Sequence, residues 1–155
     1  MNGISAAIIA TDEARNLAAL LPQLRWLDEI VVVDSGSRDG TADVARQHGC
    51  RVAQRPFDDF AAQRNFAMDL ARCEWVFSLD ADERPTPALA AEVRRRTART
   101  TAAAFRVPVR SWIFGQRVRR SGTQDDRPVR LVRRGSGRWH GGVHERLQVR
   151  GRVET

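Results

Sequence analysis

The chain contains no lysine; all 26 of its basic residues are arginine. That absence removes whole classes of chemistry, because a Walker A loop, a pyridoxal Schiff base and a Ser-Lys dyad each require lysine. Cysteine is almost as scarce. Cys50 and Cys73 stand alone, with no C-x-x-C pair and only the single His48 near either of them. This argues against structural zinc and for two reduced core thiols in a cytoplasmic protein. Long apolar runs are missing too: nothing approaches the length needed to cross a bilayer, and Ile4–Ala10 follows the first residues with no basic segment before it. Neither a signal peptide nor a transmembrane helix is therefore expected. Aromatic residues make up only 6% of the chain, and few of them, Trp112 and Trp139 chief among these, interleave with the C-terminal arginines, so a base-stacking platform for nucleic acid is not strongly signalled.

What is present is one domain of 155 residues, long enough to bury a real core. Its charge is unevenly spread. Residues 1–93 hold nine arginines against fifteen acids, a net of −6, whereas 94–155 hold seventeen arginines against four acids, a net of +13. Such an arginine-rich face suits phosphorylated lipids and anionic headgroups at least as well as nucleic acid.

The pattern along the chain is β-α repeated. Strand Ile4–Ala10 runs into a helix whose Leu17, Leu20, Leu21 and Leu24 share one face. A second strand, Ile30–Val33, ends on Asp34 and a Gly/Ser-rich turn, and a short helix after it stops at Gly49, a suitable C′ residue. Cys50–Gln54 reads as a third strand and Phe60–Ala71 as a helix. Trp75–Leu79 reads as a fourth strand, buried on both faces, and a helix follows from about Pro87 to Arg99. Beyond it, Phe105–Val109 and Val129–Val132 suit antiparallel or edge strands. Alternating strands and helices predict an α/β fold built on a mostly parallel sheet with right-handed crossovers.

Three polar clusters fall at predicted carboxyl ends of strands: Thr11–Glu13, Asp34–Thr41 and Asp80–Glu83. Ligands of open α/β sheets sit outside those ends, so the recurrence predicts one crevice. In the third cluster, Asp80 and Asp82 lie one residue apart and can reach a single hard cation, and Mg²⁺ or Mn²⁺ takes one or two carboxylates plus phosphate oxygens. Helix capping is a poor alternative use for them, since Thr86-Pro87 already supplies the cap and first position of the next helix. Asp34 can accept hydrogen bonds from a nucleobase or ribose, or simply hold its own turn. Thr11 or Asp12 is expected to cap the first helix, and Asp39 or Thr41 the second. Gln63, Arg64 and Asn65 lie in the first turns of their helix, where backbone N–H groups and an arginine fork favour phosphate; alone they would read as solvated surface.

These stretches together resemble the inverting family 2 glycosyltransferases with the GT-A fold, and within them the lipopolysaccharide core β-1,4-glucosyltransferase-like branch. The matching text is Ile4-Ser5 with Glu13, Asp28–Ser35, Asp39–Thr41, Ala62–Ala67, Trp75–Glu83 and His144–Leu147. The resemblance implies a nucleotide-sugar donor, expected to be a UDP-hexose, contacted by Glu13, Asp34, Arg64, Asn65 and Asp80. It also implies a divalent ion, Mg²⁺ or Mn²⁺, on Asp80 and Asp82, with His144 as a further contact. A glycan or lipid-linked acceptor is implied, with Glu145 as general base and Asp126 as the alternative base. In this light residues 1–93 form the nucleotide-binding half and 94–155 an arginine-rich acceptor-side half, working at the inner face of an anionic membrane. The sequence departs from the branch at Ala10, Asp12 and Thr123-Gln124-Asp125. Relatives continue beyond this length, so the chain is expected to be a partial copy.

Two rivals are distinguishable. A D-x-D phosphatase of the haloacid-dehalogenase type wants its acids on the first strand, whereas here they follow the fourth. An arginine-rich binding module would bind DNA or anionic membrane with steep salt dependence and no nucleotide-sugar.

Overall fold

A computed structural model of the chain describes residues 3–110, 112, 113, 116, 117, 127–142 and 145–155. Its elements are β1 (Ile4–Ala10), α1 (Ala14–Leu20) with a 3-10 turn at Leu21–Leu24, β2 (Glu29–Asp34), α2 (Thr41–Gln47), β3 (Arg51–Gln54), α3 (Phe60–Leu70), β4 (Trp75–Asp80) and α4 (Pro87–Thr97). These are followed by β5 (Ala104–Arg106), β6 (Trp112–Ile113), β7 (Gln116–Arg117), β8 (Val129–Arg133), β9 (Gly137–His140), β10 (Arg146–Val149) and β11 (Val153–Glu154). The expected leucine face exists, but it is split between α1 and the 3-10 turn. Pro22 sits inside that turn, where it cannot continue an α-helical ladder.

Seven strands form one sheet in the order β11-β5-β8-β4-β1-β2-β3. All neighbouring pairs are parallel except those made by β8, which runs antiparallel to both β4 and β5. β8 is thus antiparallel, one of the two expectations for it, but interior rather than at an edge. Two-stranded antiparallel sheets, β9–β10 and β6–β7, complete the fold.

Both faces of the sheet are covered, which is why its central strands read as continuous apolar runs. Ile8, Leu17, Leu20, Trp75, Phe77 and Val93 fill the layer under α1 and α4. Ala7, Val33, Val76, Ala67, Met68 and Trp139 fill the other, under α3 and β9. Two capping expectations hold in detail: Thr86 Oγ1 accepts from Leu89 N–H at 3.2 Å, and Gly49 has φ +75° after α2. Register fixes the height of the rim. Ala10 pairs with Asp34 and Ile9 with Asp80, so the two aspartates end their strands at nearly one level, about 10 Å apart with β1 between them.

Candidate active site

The first two polar clusters are stitched to each other. Asp12 N–H donates to Ser37 Oγ at 2.9 Å, Glu13 N–H to Thr41 Oγ1 at 2.8 Å and Ala14 N–H to Asp39 Oδ2 at 3.0 Å. In return Asp12 Oδ1 accepts from Arg38 N–H at 2.8 Å. This corrects the expectation that Thr11 or Asp12 caps α1. The helix has no cap from its own side chains, because the loop after β2 supplies the acceptors. Likewise α2 begins after Gly40 at φ +85°, without a side-chain cap, and Asp39 instead holds Thr41 N–H and the start of α1. The Thr41 hydroxyl hydrogen bond to Asp39 holds the Asp39 carboxyl below its ordinary value of 3.8, reinforced by the Ala14 N–H.

Asp34 is fully buried at the end of β2. Its Oδ1 takes the Ser37 N–H and hydroxyl, so the turn role is real, yet its buried Oδ2 has no partner. A buried acceptor left open is costly and therefore informative. Glu13 accepts from Asn16 Nδ2 at 2.7 Å, and Asn16 Oδ1 receives Arg84 at 3.1 Å, which links the first cluster to the loop after β4.

The third cluster is the centre of the site. Asp80 Oδ1 accepts from Arg64 Nη2 at 2.7 Å and Oδ2 from Arg130 Nη2 at 3.2 Å. Arg130 Nη2 also reaches Glu83 Oε1 at 2.6 Å, while Glu83 Oε2 takes the Asp80 N–H at 2.9 Å. On its other side Arg64 donates Nε–H to Glu145 Oε1 at 3.1 Å, and its guanidinium carbon lies 5.0 Å from the centre of the Trp139 ring. Arg64 therefore joins an acid at the end of β4 to an acid just before β10. Burial pushes the Asp80 carboxyl up, but the Arg64 and Arg130 charges outweigh it and leave it below its ordinary value of 3.8. Glu83 goes the other way: burial raises it, and Arg130 offsets only part of that.

Gln63 and Arg64 are buried rather than solvated. Gln63 Nε2 donates to Ser35 Oγ at 2.9 Å and to the Arg55 carbonyl at 3.0 Å, bracing α3 against the ends of β2 and β3. Asn65 commits both ends of its amide to Trp139, donating to the carbonyl and accepting from the N–H, each at 2.9 Å. It docks β9 on α3 and thereby holds Trp139 against Arg64. Asp82 is exposed on the turn beyond Asp80. Asp126 and His144 lie outside the described residues.

Arg130 was not singled out by sequence. The available signal was a lone arginine within the apolar run Val129-Arg130-Leu131-Val132, on a strand that lies beside β4. Glu83 was noted as the third acid of its cluster but given no role, and it turns inward while Asp82 does not.

Asp80, whose two oxygens accept from Arg64 and Arg130, and exposed Asp82 are the kind of donors a hard divalent cation takes. Asp80 and Asp82 offer two carboxylates on one turn, and Mg²⁺ characteristically takes one or two carboxylates together with substrate phosphates and water. Among the described residues no cluster of three or more His, Cys, Asp and Glu side chains could hold a metal without such help.

With this geometry in place, comparison with known proteins assigns the chain. The family model for Glycosyl transferase family 2 matches residues 5–148, and the chain belongs to that family. It is 33% identical over 158 aligned positions to the lipopolysaccharide core biosynthesis glycosyltransferase LpsC of Rhizobium meliloti, an alignment covering 97% of this chain and 58% of that protein. The chain thus spans little more than half the length of that relative. Among solved structures, S. aureus TarS (residues 1–349) superposes with a TM-score of 0.68 at 19% identity, over 86% of this chain and 47% of that one. The mannosyltransferase PcManGT of Pyrobaculum calidifontis, solved with GDP-Man and Mn²⁺, gives 0.56 at 24% identity, over 68% and 35%. Both share the GT-A architecture of mostly parallel sheet and flanking helices. Among the described residues, no helix is long and apolar enough to cross a membrane.

Proposed function

We propose that the chain transfers a hexose from a UDP-hexose to a lipopolysaccharide-core or other glycan or lipid-linked acceptor, with inversion, by metal-assisted in-line displacement. The observation that carries this reading is the acid–arginine–acid bridge Asp80–Arg64–Glu145 at the carboxyl rim of the sheet, reinforced by Arg130. The relative's name, a lipopolysaccharide core glycosyltransferase, supports the acceptor class. TarS has been solved with UDP-GlcNAc, which supports a uridine donor.

Asp80 and Asp82 would hold Mg²⁺ or Mn²⁺, with His144 as a further contact. When bound, the ion neutralises charge on the departing diphosphate. Asp34, through its open Oδ2, faces the base or ribose; Glu13 and Asn65 position the walls on either side, and Arg64 sits beside the diphosphate. Glu145 takes the proton of the acceptor hydroxyl as that oxygen bonds to the anomeric carbon. The bond from that carbon to the diphosphate breaks on the opposite side, and its electron pair leaves with the nucleotide. Arg64 fixes the orientation of Glu145 for this step, and Asp126 is the alternative base. The arginine-rich residues from 94 onward serve the acceptor side, at the inner face of an anionic membrane.

The test is calorimetry with UDP, GDP and CDP, each with Mn²⁺ or with chelator. UDP is expected to bind only with the ion, and Asp82→Ala to lose that binding. Equal UDP affinity in chelator and in Mn²⁺ overturns the metal assignment.

A further inference from the structure

Away from the rim cluster, two cavities of about 540 and 420 Å³ adjoin along the flank of α4 and share Arg96 and Phe105 in their walls. They differ in chemistry. The larger is walled by Arg95, Arg96, Arg99 and Arg152. The smaller has an apolar floor of Leu89, Val93, Phe105, Val107 and Leu131, rimmed by Arg106 and Arg127. Six arginines therefore face two carboxylates, Glu92 and Glu154, around one continuous depression. Glu92 is already shared between Arg95 and Arg96, and Glu154 lies 2.6 Å from Arg152. Among the described residues Arg99 has no carboxylate partner, and Arg106 reaches only the Arg127 carbonyl, at 3.2 Å.

Helix polarity accounts for the arginines in the last turn of α4, where cations are favoured. It does not account for Arg106, Arg127 and Arg152, which arrive from three other segments, nor for an apolar floor beside them. A surplus of positive charge next to a greasy slot matches an amphiphile with an anionic head. We propose that this groove binds a single anionic lipid, its acyl chain on the Leu89–Val93–Phe105 floor and its phosphate on Arg95, Arg99 and Arg152. The smaller cavity lies within the size range of about 300–1,000 Å³ typical of small-ligand sites. Because β5 runs parallel to β4 through the antiparallel β8, the Val107 end of the groove opens at the same rim as Asp80. The lipid so held lies beside the proposed transfer site without entering it.

The experiment uses the full chain and water-soluble, short-chain phosphatidylglycerol, with phosphatidylcholine of equal chain length and inorganic phosphate as comparators. Phe105 stacks against Trp75 with ring centres 5.6 Å apart, so a phosphatidylglycerol brominated on its acyl chain should quench tryptophan fluorescence saturably. The combined Arg95→Glu, Arg99→Glu and Arg152→Glu variant should bind on the order of a hundredfold more weakly, from about a factor of five per arginine near an anionic lipid. Ala88→Phe, at an exposed position that lines the groove, should block quenching while leaving Mn²⁺-dependent UDP binding unchanged. Three outcomes overturn the proposal: inorganic phosphate binding as tightly as the lipid; no discrimination between the two headgroups; or binding to anionic vesicles that salt abolishes but Ala88→Phe leaves intact, which marks a merely basic surface. The quenching measurement needs only the unaltered chain, so it decides the matter even where a variant fails to fold. UDP binding reads the rim site separately, so failure of the lipid groove and failure of the transferase reading are told apart.

Discussion

Replacing Arg64 with methionine removes a side chain that touches Asp80, Glu145 and Trp139 together. Its side chain is only 9% exposed, and the carboxylates it would strand are 31% and 17% exposed. Removing one partner from a buried ion pair costs about 3–5 kcal/mol, because the other charge stays desolvated. Here the low end applies: Arg130 still faces Asp80 at 3.2 Å, and both carboxylates keep some water. The lost stacking on Trp139 adds about 0.5–1 kcal/mol. For a chain of this size a total loss of about 3.5–4 kcal/mol lowers Tm by roughly 7–16 °C.

The control is Arg95→Ala, which breaks a solvent-exposed pair with Glu92 and should leave stability nearly unchanged. Urea unfolding of both variants measures the difference directly. Arg64→Lys sharpens the test: a single ammonium lacks the planar fork that places Nη2 on Asp80 and Nε on Glu145, so it should recover less than half of the lost stability. A methionine variant no less stable than Arg95→Ala, or full recovery by lysine, refutes the bridge as a structural unit.

Other outcomes follow from the same geometry. Glu145→Gln keeps an acceptor for Arg64 and should fold and bind UDP-sugar normally, yet transfer sugar on the order of a hundredfold or more slowly in a single-turnover assay; near-normal transfer in it, with a dead Asp126→Asn, moves the base to Asp126. Asp34→Ala should weaken UDP far more than pyrophosphate in parallel titrations, whereas equal weakening makes Asp34 a turn residue alone. Burial raises the Cys50 thiol to about 11 from an ordinary 9.0. Its folded value lies above its unfolded one, so its contribution to stability is intact below pH 9.0 and fades as pH rises through 11. At pH 8.5 a thiol reagent should accordingly label Cys50 only after unfolding, and rapid labelling of the native chain contradicts its burial.

Much of this was legible because hydrophobic runs announce where they end. Val31-Val32-Val33 stops on Asp34 and Val76-Phe77-Ser78-Leu79 on Asp80, and parallel pairing through β1 then sets both acids on one rim. What escaped the sequence were contacts between distant segments. Arg130 meets Asp80 across 50 residues, Glu145 meets Arg64 across 81, and Asn65 meets Trp139 across 74. Each depends on β8 reversing direction inside the sheet and on β9 docking against α3, and no local spacing encodes either event. The missed caps have the same origin. Asp12 and Thr11 carry the chemistry of a cap, but Asp39 from the neighbouring loop reaches Ala14 N–H first, and tertiary structure overrides the local preference.

The charge of the whole chain misleads about its site. The sequence carries +7, and arginine dominates its second half, which on its own suggests a surface ready for any polyanion. The rim is different. Among the described residues around Asp80, the carboxylates of Asp80, Glu83 and Glu145, with exposed Asp82 beside them, meet the cations of Arg64 and Arg130, while Glu13 and Arg84, joined through Asn16, cancel. Two negative charges remain among the described residues. Both arginines are already committed to carboxylates, so a diphosphate entering this rim alone meets net repulsion. A divalent cation on Asp80 and Asp82 reverses that sign locally. The expected need for Mg²⁺ or Mn²⁺ therefore follows from the charge balance of the rim as well as from the spacing of its two aspartates.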